Sequence, residues 1–387
     1  MKKIQMVDLK GQYQDIKDKV DSSIQSVIDS ASFINGPKVK EFQLNLENYL
    51  NIKHVIPCAN GTDALQIAMM GLGLKAGDEV ITADFTFAAT VEVIALLGLT
   101  PVLVDVDPNS FNIDIESIKK AITPKTKAIV PVHLFGQCAD MESILKIADD
   151  YNLFVIEDNA QAIGATYTFS NGKKAKAGTL GNVSSTSFFP SKNLGCYGDG
   201  GAIFTNDDDL AHTIRGIVNH GMYKRYHHDV VGVNSRLDSI QAAVLDAKLP
   251  KLDSYNKARR NAAKKYNIAF KNHPNLITPK AGFGCDNICE NCDCHVFHQY
   301  TLRLINADRD ALVSYLNSKN IPCGVYYPIP LHKQKAYKSD RYEESNFSVT
   351  NQLCKEVFSL PMHTELDDNQ IAYIAKEVLD FLANTKI

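Results

Sequence analysis

The sequence has no long apolar run and no excess of positive charge. None of its 387 residues lies in a stretch that approaches the roughly eighteen apolar residues of a membrane-spanning helix, and the N-terminus returns to charge too often for a signal peptide. The net charge of −3 provides no basic field for a nucleic-acid backbone. These absences predict a cytoplasmic protein that binds a small molecule, with neither a membrane nor a nucleic acid as partner.

The sequence also lacks internal repeats and low-complexity tracts, and its composition is that of an ordinary globular protein. Nine cysteines are present, an odd number, and several stand alone in apolar or helical contexts, as in reduced cytosolic enzymes. These dispersed cysteines are Cys58, Cys138, Cys323 and Cys354.

Apolar strand patterns alternate with helical patterns over the first two hundred residues, after two N-terminal helices. The predicted strands are 55–58, 79–82, 101–105, 128–132, 154–157 and 201–205. This alternation predicts an α/β fold with a largely parallel sheet that is covered on both faces. An amphipathic segment, 235–270, leads to a smaller α+β unit, and Pro250 should kink or end its first helix. We predict a large domain, 1–249, and a small domain, 250–387.

A lysine and an aspartate carry the main functional signal. Lys192 follows a turn of small residues and proline in SFFPSKNLG, and Asp158 ends the predicted strand 154–157, at the sheet edge where such folds bind ligands. A lysine amine can hold pyridoxal phosphate as a Schiff base and, once released, can move a proton, while a carboxylate can hold the ring nitrogen protonated. Glu157 should point to the opposite face. Considered alone, Lys192 is also compatible with a solvated surface lysine, and Asp158 is also compatible with a helix N-cap.

Further residues could complete such a cofactor site. The amides of Gly61 and Thr62 at a predicted helix start, together with Ser187, could hold a phosphate. Gln161 could reach the ring hydroxyl and Phe87 could stack on the ring. The alternatives are a glycine kept for turn geometry and an aromatic residue that belongs to the core.

Four motifs in order resemble those of the DegT/DnrJ/EryC1/StrS aminotransferases. They are NGTDAL at 60–65, EDNAQ at 157–161, SFFPSK at 187–192 with GDGG at 198–201, and GVNSRLDSIQAA at 232–243. The resemblance covers nearly the whole chain. It implies a fold-type-I enzyme that depends on pyridoxal phosphate and acts on nucleotide-linked keto sugars, with a mostly parallel seven-stranded sheet in the large domain and a smaller α+β C-terminal domain.

The resemblance also implies roles for single residues. Lys192 would form the Schiff base, Asp158 would pair with the ring nitrogen, and Gln161 would meet the ring hydroxyl. Thr62 and Ser187 would hold the phosphate.

A homodimer is implied as well. Asn234 would reach the phosphate of the neighbouring subunit's cofactor, and Arg236 would complete that neighbouring site. Without the resemblance, Asn234 is also compatible with a helix N-cap.

Within the family, the segments 219–228, 234–237 and 325–332 resemble the WbpE-like branch, which aminates C3 of UDP- or dTDP-linked 3-keto sugars. This implies L-glutamate as donor, a UDP-linked 2-acetamido-3-keto-hexuluronate as leading acceptor, and an amino sugar for a cell-surface polysaccharide as product. The implied substrate contacts are Arg236, Tyr326, Tyr327 and His332. Tyr326 is a departure, because that branch carries histidine there.

Three other functions compete with this hypothesis. Amination at C4 depends only on how the sugar lies in the cleft. Sugar dehydration is disfavoured, because dehydrating relatives carry histidine in place of Lys192. A non-catalytic regulatory protein that binds the cofactor would need a basic DNA-reading module, which neither the charge nor the helix pattern supplies.

Four cysteines fall within ten residues: Cys285, Cys289, Cys292 and Cys294. Such density raises a zinc or iron–sulfur interpretation. The first three cysteines have the CxxxCxxC spacing of radical-SAM enzymes. We reject that interpretation, because Asn291 stands where an aromatic residue is usual. A structural metal and a surface loop of reduced thiols stay open, and we assign no metal ligand.

Overall fold

The computed structural model describes residues 2–282, 288 and 293–384. The helices are α1 (Leu9–Ser30), α2 (Pro37–Leu50), α3 (Gly61–Gly71), α4 (Ala89–Leu96), α5 (Ile115–Ala121), α6 (Met141–Tyr151), α7 (Asp208–Ile217), α8 (Ser239–Lys248), α9 (Leu252–Ala269), α10 (Arg309–Ser318), α11 (Ser348–Glu356) and α12 (Asp368–Asn384). The strands are β1 (His54–Cys58), β2 (Glu79–Ala83), β3 (Thr100–Val104), β4 (Thr126–Val130), β5 (Phe154–Asp158), β6 (Thr166–Thr168), β7 (Lys174–Lys176), β8 (Val183–Ser187), β9 (Gly201–Thr205), β10 (Met222–Lys224), β11 (His227–His228), β12 (Leu276–Ile277), β13 (Tyr300–Leu304) and β14 (Val357–Leu360).

The main sheet has seven strands in the order β1-β9-β8-β5-β4-β2-β3. Strand β9 is antiparallel to both of its neighbours, and the other neighbouring pairs are parallel. The predicted α/β fold with a mostly parallel seven-stranded sheet is therefore confirmed.

Both faces of the sheet are buried, as its continuous apolar strands require. Consecutive residues of β2 show this, because Val80 and Ile81 are fully buried in two different hydrophobic clusters. The two clusters lie on opposite faces, since successive strand side chains point to opposite sides. Helices pack on each face, and the carboxyl ends of β2, β4, β5 and β8 are left together at one edge.

The C-terminal part of the chain forms a second, antiparallel sheet, β12-β13-β14, with α9, α10 and α12 packed against it. Pro250 lies in a 3-10 turn between α8 and α9, which confirms the predicted interruption of that helical segment. Ile4 is buried in the core of this C-terminal unit, and the Met362 amide donates to the Met6 carbonyl. The first residues of the chain thus pack with the predicted small domain, although the predicted boundary assigns them to the large one.

The predicted His- and Tyr-rich loop at 220–231 contains a short hairpin, β10 with β11, whose register shifts between Met222 and Lys224. An irregular ladder of so few residues leaves no alternation in the sequence that could have predicted it. None of the helices in the described part of the chain has the length and apolarity needed to cross a membrane.

Candidate active site

A cavity of about 450 Å³ opens at the carboxyl edge of the main sheet, beside the start of α3. The structure brings nine of the predicted site residues to its wall: Gly61, Thr62, Phe87, Asp158, Gln161, Ser187, Lys192, Tyr326 and Tyr327. Asn234, Arg236 and His332 are predicted site residues that do not line it.

Lys192 lies on the loop that follows β8. The loop is fixed by main-chain hydrogen bonds from Lys192 to the Phe189 carbonyl and from Cys196 to the Phe188 carbonyl, both at 2.8 Å. Among the described residues no group accepts a hydrogen bond from Lys192 Nζ. Burial lowers the pKa of Lys192 to about 8, and the negative charge of Asp158 acts in the opposite direction. The amine is therefore free, and nucleophilic, at a far lower pH than an exposed lysine.

We predict a pH dependence for cofactor capture from this pKa. The neutral amine is the nucleophile, so the rate at which the apo-protein takes up pyridoxal phosphate should rise through pH 8 and then level off. Stopped-flow absorbance at saturating pyridoxal phosphate measures this rate. A rate that keeps rising to pH 10, as for an ordinary lysine, would contradict the perturbed pKa.

Asp158 is the last residue of β5 and is buried. Its Oδ2 accepts a hydrogen bond of 2.7 Å from the Thr90 hydroxyl, and its Oδ1 accepts one of 3.1 Å from the Ala160 amide. Glu157 points to the opposite face, as predicted, where Gly178 and His133 are among its hydrogen-bond donors. The two adjacent carboxylates therefore lie on opposite sides of the strand, and of the two only Asp158 faces the cavity.

The start of α3 forms an anion cradle. Asn60 caps the helix, because its side chain accepts a hydrogen bond of 2.8 Å from the Asp63 amide. The amides that precede Asp63 in the first turn have no hydrogen-bond partner within the helix. A Cβ atom at position 61 would lie 2.7 Å from the Ser187 Cβ, so glycine is what allows helix and loop to approach. Thr62 and Ser187, which both carry hydroxyl groups, line the same cavity. This positive helix end suits a phosphate.

Aromatic residues form another wall of the cavity. The Phe87 side chain is 58% exposed, which excludes the alternative that it belongs to the core. Its ring lies 6.3 Å from the ring of Tyr327. Gln161 accepts a hydrogen bond of 2.7 Å from the Phe135 amide and donates one of 3.3 Å to the Tyr327 hydroxyl. Gln161 is thus held in place, with its amide NH₂ directed toward Tyr327.

His332 does not line the cavity, contrary to the prediction that it contacts the substrate. Its ring is buried outside the cavity, with Nδ1 2.6 Å from Asp84 Oδ2 and Nε2 3.3 Å from a Glu344 carboxylate oxygen. Its amide also donates to Asp84 Oδ1 at 2.7 Å. Because carboxylates occupy both ring nitrogens, His332 anchors the segment that carries Tyr326 and Tyr327, and we withdraw its predicted contact with the substrate.

Asn234 and Arg236 lie away from the cavity of their own chain. Asn234 is exposed and pairs through its backbone with Asn219. The N-cap of α8 is Asp238, so the alternative role of Asn234 as a helix cap is excluded.

Thr86 and His298 are among the polar residues of the cavity wall that the sequence did not indicate. Thr86 Oγ1 and His298 Nδ1 are buried without a hydrogen-bond partner in the described part of the chain. Burial, followed by the charges of Lys192 and Arg259, holds the pKa of His298 well below its usual range, so the ring is neutral. These unpartnered polar atoms, the unpartnered Lys192 amine and the anion cradle fit a polar ligand that carries a phosphate.

The clustered cysteines lie at the margin of the described structure. Cys285, Cys289 and Cys292 are outside the described residues. Cys294 is buried and disulfide-bonded. The interpretation of the cluster as reduced surface thiols is therefore wrong for Cys294.

Comparison with known proteins identifies the family. The model of the DegT/DnrJ/EryC1/StrS aminotransferase family matches residues 14–379. The chain belongs to this family. The predicted resemblance is confirmed, and the protein is an aminotransferase whose cofactor is pyridoxal phosphate.

Three relatives of this DegT/DnrJ/EryC1/StrS member resemble it over nearly their full length. A Pseudomonas aeruginosa protein named UDP-2-acetamido-2-deoxy-3-oxo-D-glucuronate aminotransferase is 47% identical, covering 96% of this chain and 98% of its own. A Geobacillus stearothermophilus pleiotropic regulatory protein is 45% identical, covering 98% of both chains. A UDP-N-acetyl-3-dehydro-alpha-D-glucosamine 3-aminotransferase of Acidithiobacillus ferrooxidans is 44% identical, covering 96% of both.

Two crystal structures share the fold. The S. venezuelae protein DesV, solved in complex with a ketimine intermediate, superposes with a TM-score of 0.92 at 35% identity and covers the whole of both chains. The Bacillus subtilis protein NtdA, solved with bound cofactor PMP, gives a TM-score of 0.86 at 30% identity, over 96% of this chain and 82% of its own.

Proposed function

We propose that this aminotransferase moves the amino group of L-glutamate to C3 of a UDP-linked 3-keto sugar, with a 2-acetamido-3-keto-hexuluronate as the leading acceptor and an amino sugar for a cell-surface polysaccharide as product. One observation carries the chemistry: a free amine of lowered pKa, a fixed carboxylate and an anion cradle share one cavity. The acceptor is supported by the names of the relatives from P. aeruginosa and A. ferrooxidans.

The cavity residues have separate roles in cofactor binding and proton transfer. Pyridoxal phosphate, when bound, supplies a carbonyl that carries the amino group and a ring that withdraws electrons from the reacting carbon. Thr62, Ser187 and the first amides of α3 hold the phosphate, and the Asp158 carboxylate keeps the ring nitrogen protonated. Lys192 Nζ holds the cofactor at rest and, once free, takes the proton from the α-carbon of the donor amino acid.

The walls of the cavity shape the acceptor site. Phe87, Tyr326 and Tyr327 present aromatic faces beside hydroxyl groups, a combination suited to a sugar ring and its polar substituents. Among the described residues that line the cavity of one chain there is no arginine, so these residues offer no guanidinium to a uronate carboxylate or a diphosphate. We therefore assign Arg236 and Asn234 to the site of a second subunit in a homodimer.

Subunit complementation tests this shared site. Chains that carry Lys192→Ala and chains that carry Arg236→Ala are each expected to be impaired as homodimers. After they are mixed and reassociated, each hybrid dimer would contain one site with both residues intact, and roughly a quarter of wild-type activity should return. No recovery in dimers that have been shown to be hybrid would mean that Arg236 serves its own chain.

A substrate panel tests the acceptor. The protein, loaded with cofactor and supplied with L-glutamate, is assayed against UDP- and dTDP-linked 3-keto and 4-keto sugars, with and without a C6 carboxylate, and the amino sugar is identified by mass spectrometry and NMR. We expect the UDP-linked 3-keto uronate to react fastest. Reaction of 4-keto sugars alone would overturn the C3 assignment, and equal rates with the neutral sugar would remove the uronate preference.

A further inference from the structure

Thr90 lies next to the site but outside the cavity wall. It is the second residue of α4 and is fully buried. Its hydroxyl donates a hydrogen bond of 2.7 Å to Asp158 Oδ2, across 68 residues of sequence. Thr90 does not line the cavity, so its hydroxyl acts on a ligand there through its hydrogen-bond partner Asp158.

The bond from Thr90 completes the fixation of the Asp158 carboxylate. Oδ1 is held by the Ala160 amide at 3.1 Å and Oδ2 by Thr90, so both oxygens have a donor before any ligand enters. An ionised carboxylate offers about four acceptor sites in one plane, and two stay open. Donors on both oxygens set the orientation of that plane.

Packing alone does not account for the hydroxyl of Thr90. Valine has the same shape and would fill the same buried space without a polar atom that needs a partner. Threonine differs from valine here in its hydroxyl group, which donates a hydrogen bond to Asp158. The other titratable residues that line this cavity are Lys192, Asp199, His298, Tyr326 and Tyr327.

We propose that Thr90 is a positioning residue for the cofactor: it orients Asp158 so that the open acceptor sites of the carboxylate meet the ring nitrogen and keep it protonated. The proposal rests on the role assigned to Asp158 under the proposed function. It adds to the site a residue outside the motifs that carry the family resemblance.

The structure offers a matched control. Thr82, in β2, is also fully buried, and its hydroxyl donates a hydrogen bond of 2.9 Å to the Val130 carbonyl. Thr90→Val and Thr82→Val each remove one buried hydrogen bond and keep the shape of the side chain. Thr90→Ser restores the hydroxyl at position 90 and serves as the rescue variant.

The variants are compared as holoenzymes by three measurements: the single-turnover rate with L-glutamate, the pH titration of the visible absorbance of the bound cofactor, and thermal unfolding. We expect Thr90→Val to slow the turnover by about 10–100-fold, the usual effect of one hydrogen bond to a charged group, and to shift the absorbance titration. Thr90→Ser should stay within a few-fold of wild type. Thr82→Val should lose thermal stability comparably and keep both the rate and the titration.

Two outcomes would overturn the proposal. One is a Thr90→Val holoenzyme with the rate and titration of Thr82→Val, and the other is a Thr90→Ser variant as slow as Thr90→Val. Asp158→Asn separates the two levels of the argument. If Asp158→Asn is slow while Thr90→Val is not, only the role of Thr90 fails. If Asp158→Asn keeps the wild-type rate, the proposed role of Asp158 fails and that of Thr90 with it.

Discussion

Replacement of Lys192 by alanine is expected to abolish aminotransfer and to remove the visible absorbance of the bound cofactor. The variant lacks both the amine that attaches the cofactor and the base that moves the substrate proton, so turnover should fall by at least about 10³-fold. The anion cradle at the start of α3 is unchanged, and the variant should therefore still bind pyridoxal phosphate weakly. Absorbance spectra and single-turnover rates with L-glutamate measure both effects.

Lys248 provides the matched control for this experiment. Burial lowers its pKa to about 8, as for Lys192, but its Nζ donates a hydrogen bond of 2.7 Å to the Gly195 carbonyl and it does not line the cavity. Lys248→Met should keep the visible band. If Lys192→Ala kept the band and Lys248→Met lost it, the assignment of the reactive lysine would be wrong.

Replacement of Asp158 by asparagine should slow the half-reaction with L-glutamate by about 10²–10³-fold, the usual effect of removing a preorganised electrostatic partner. Asparagine keeps the size of the side chain but no longer favours a protonated ring nitrogen, so the ring withdraws electrons less well. The cofactor should remain bound, because its phosphate site and Lys192 are intact. Single-turnover absorbance separates this rate effect from a loss of affinity.

Glu157→Gln is the control for Asp158. Glu157 is the adjacent residue on β5 and is fully buried, but its carboxylate faces away from the cavity and accepts hydrogen bonds from the amides of Gly178, Leu180 and Gly181. Its replacement should lower the melting temperature and leave the half-reaction rate of the folded holoenzyme near wild type. A rate loss equal to that of Asp158→Asn would show that general disruption of β5, and not the charge of Asp158, explains both.

The sequence predicted those parts of the molecule that local patterns encode. Continuous apolar strands such as β2 indicated a sheet covered on both faces, and Asp158 was found because it ends a predicted strand at the carboxyl edge. Lys192 was found because it follows a turn of small residues and proline; strand β8, which precedes that turn, was not predicted. Gly61 was found because a strand, a glycine and a helix start follow one another in the chain. The resemblance then supplied the class of substrate, a nucleotide-linked keto sugar, and the homodimer.

Contacts between distant parts of the chain were not predictable in this way. His332 pairs with Asp84, which lies 248 residues away in the sequence. No local sequence pattern near either residue indicates this pair, and His332 was therefore predicted to contact the substrate. The bond from Thr90 to Asp158 is hidden for the same reason. For Cys294 the sequence left a metal ligand and a reduced thiol open and did not predict a disulfide, since a disulfide depends on geometry that spacing does not give.

The most direct test of the central claim is a two-step absorbance experiment on the purified holoprotein. We predict that L-glutamate removes the visible band and produces a near-ultraviolet band, and that a UDP-linked 3-keto sugar then restores the visible band with formation of a 3-amino sugar. A spectrum that L-glutamate leaves unchanged, or one that 2-oxoglutarate restores but no keto sugar does, would contradict the account.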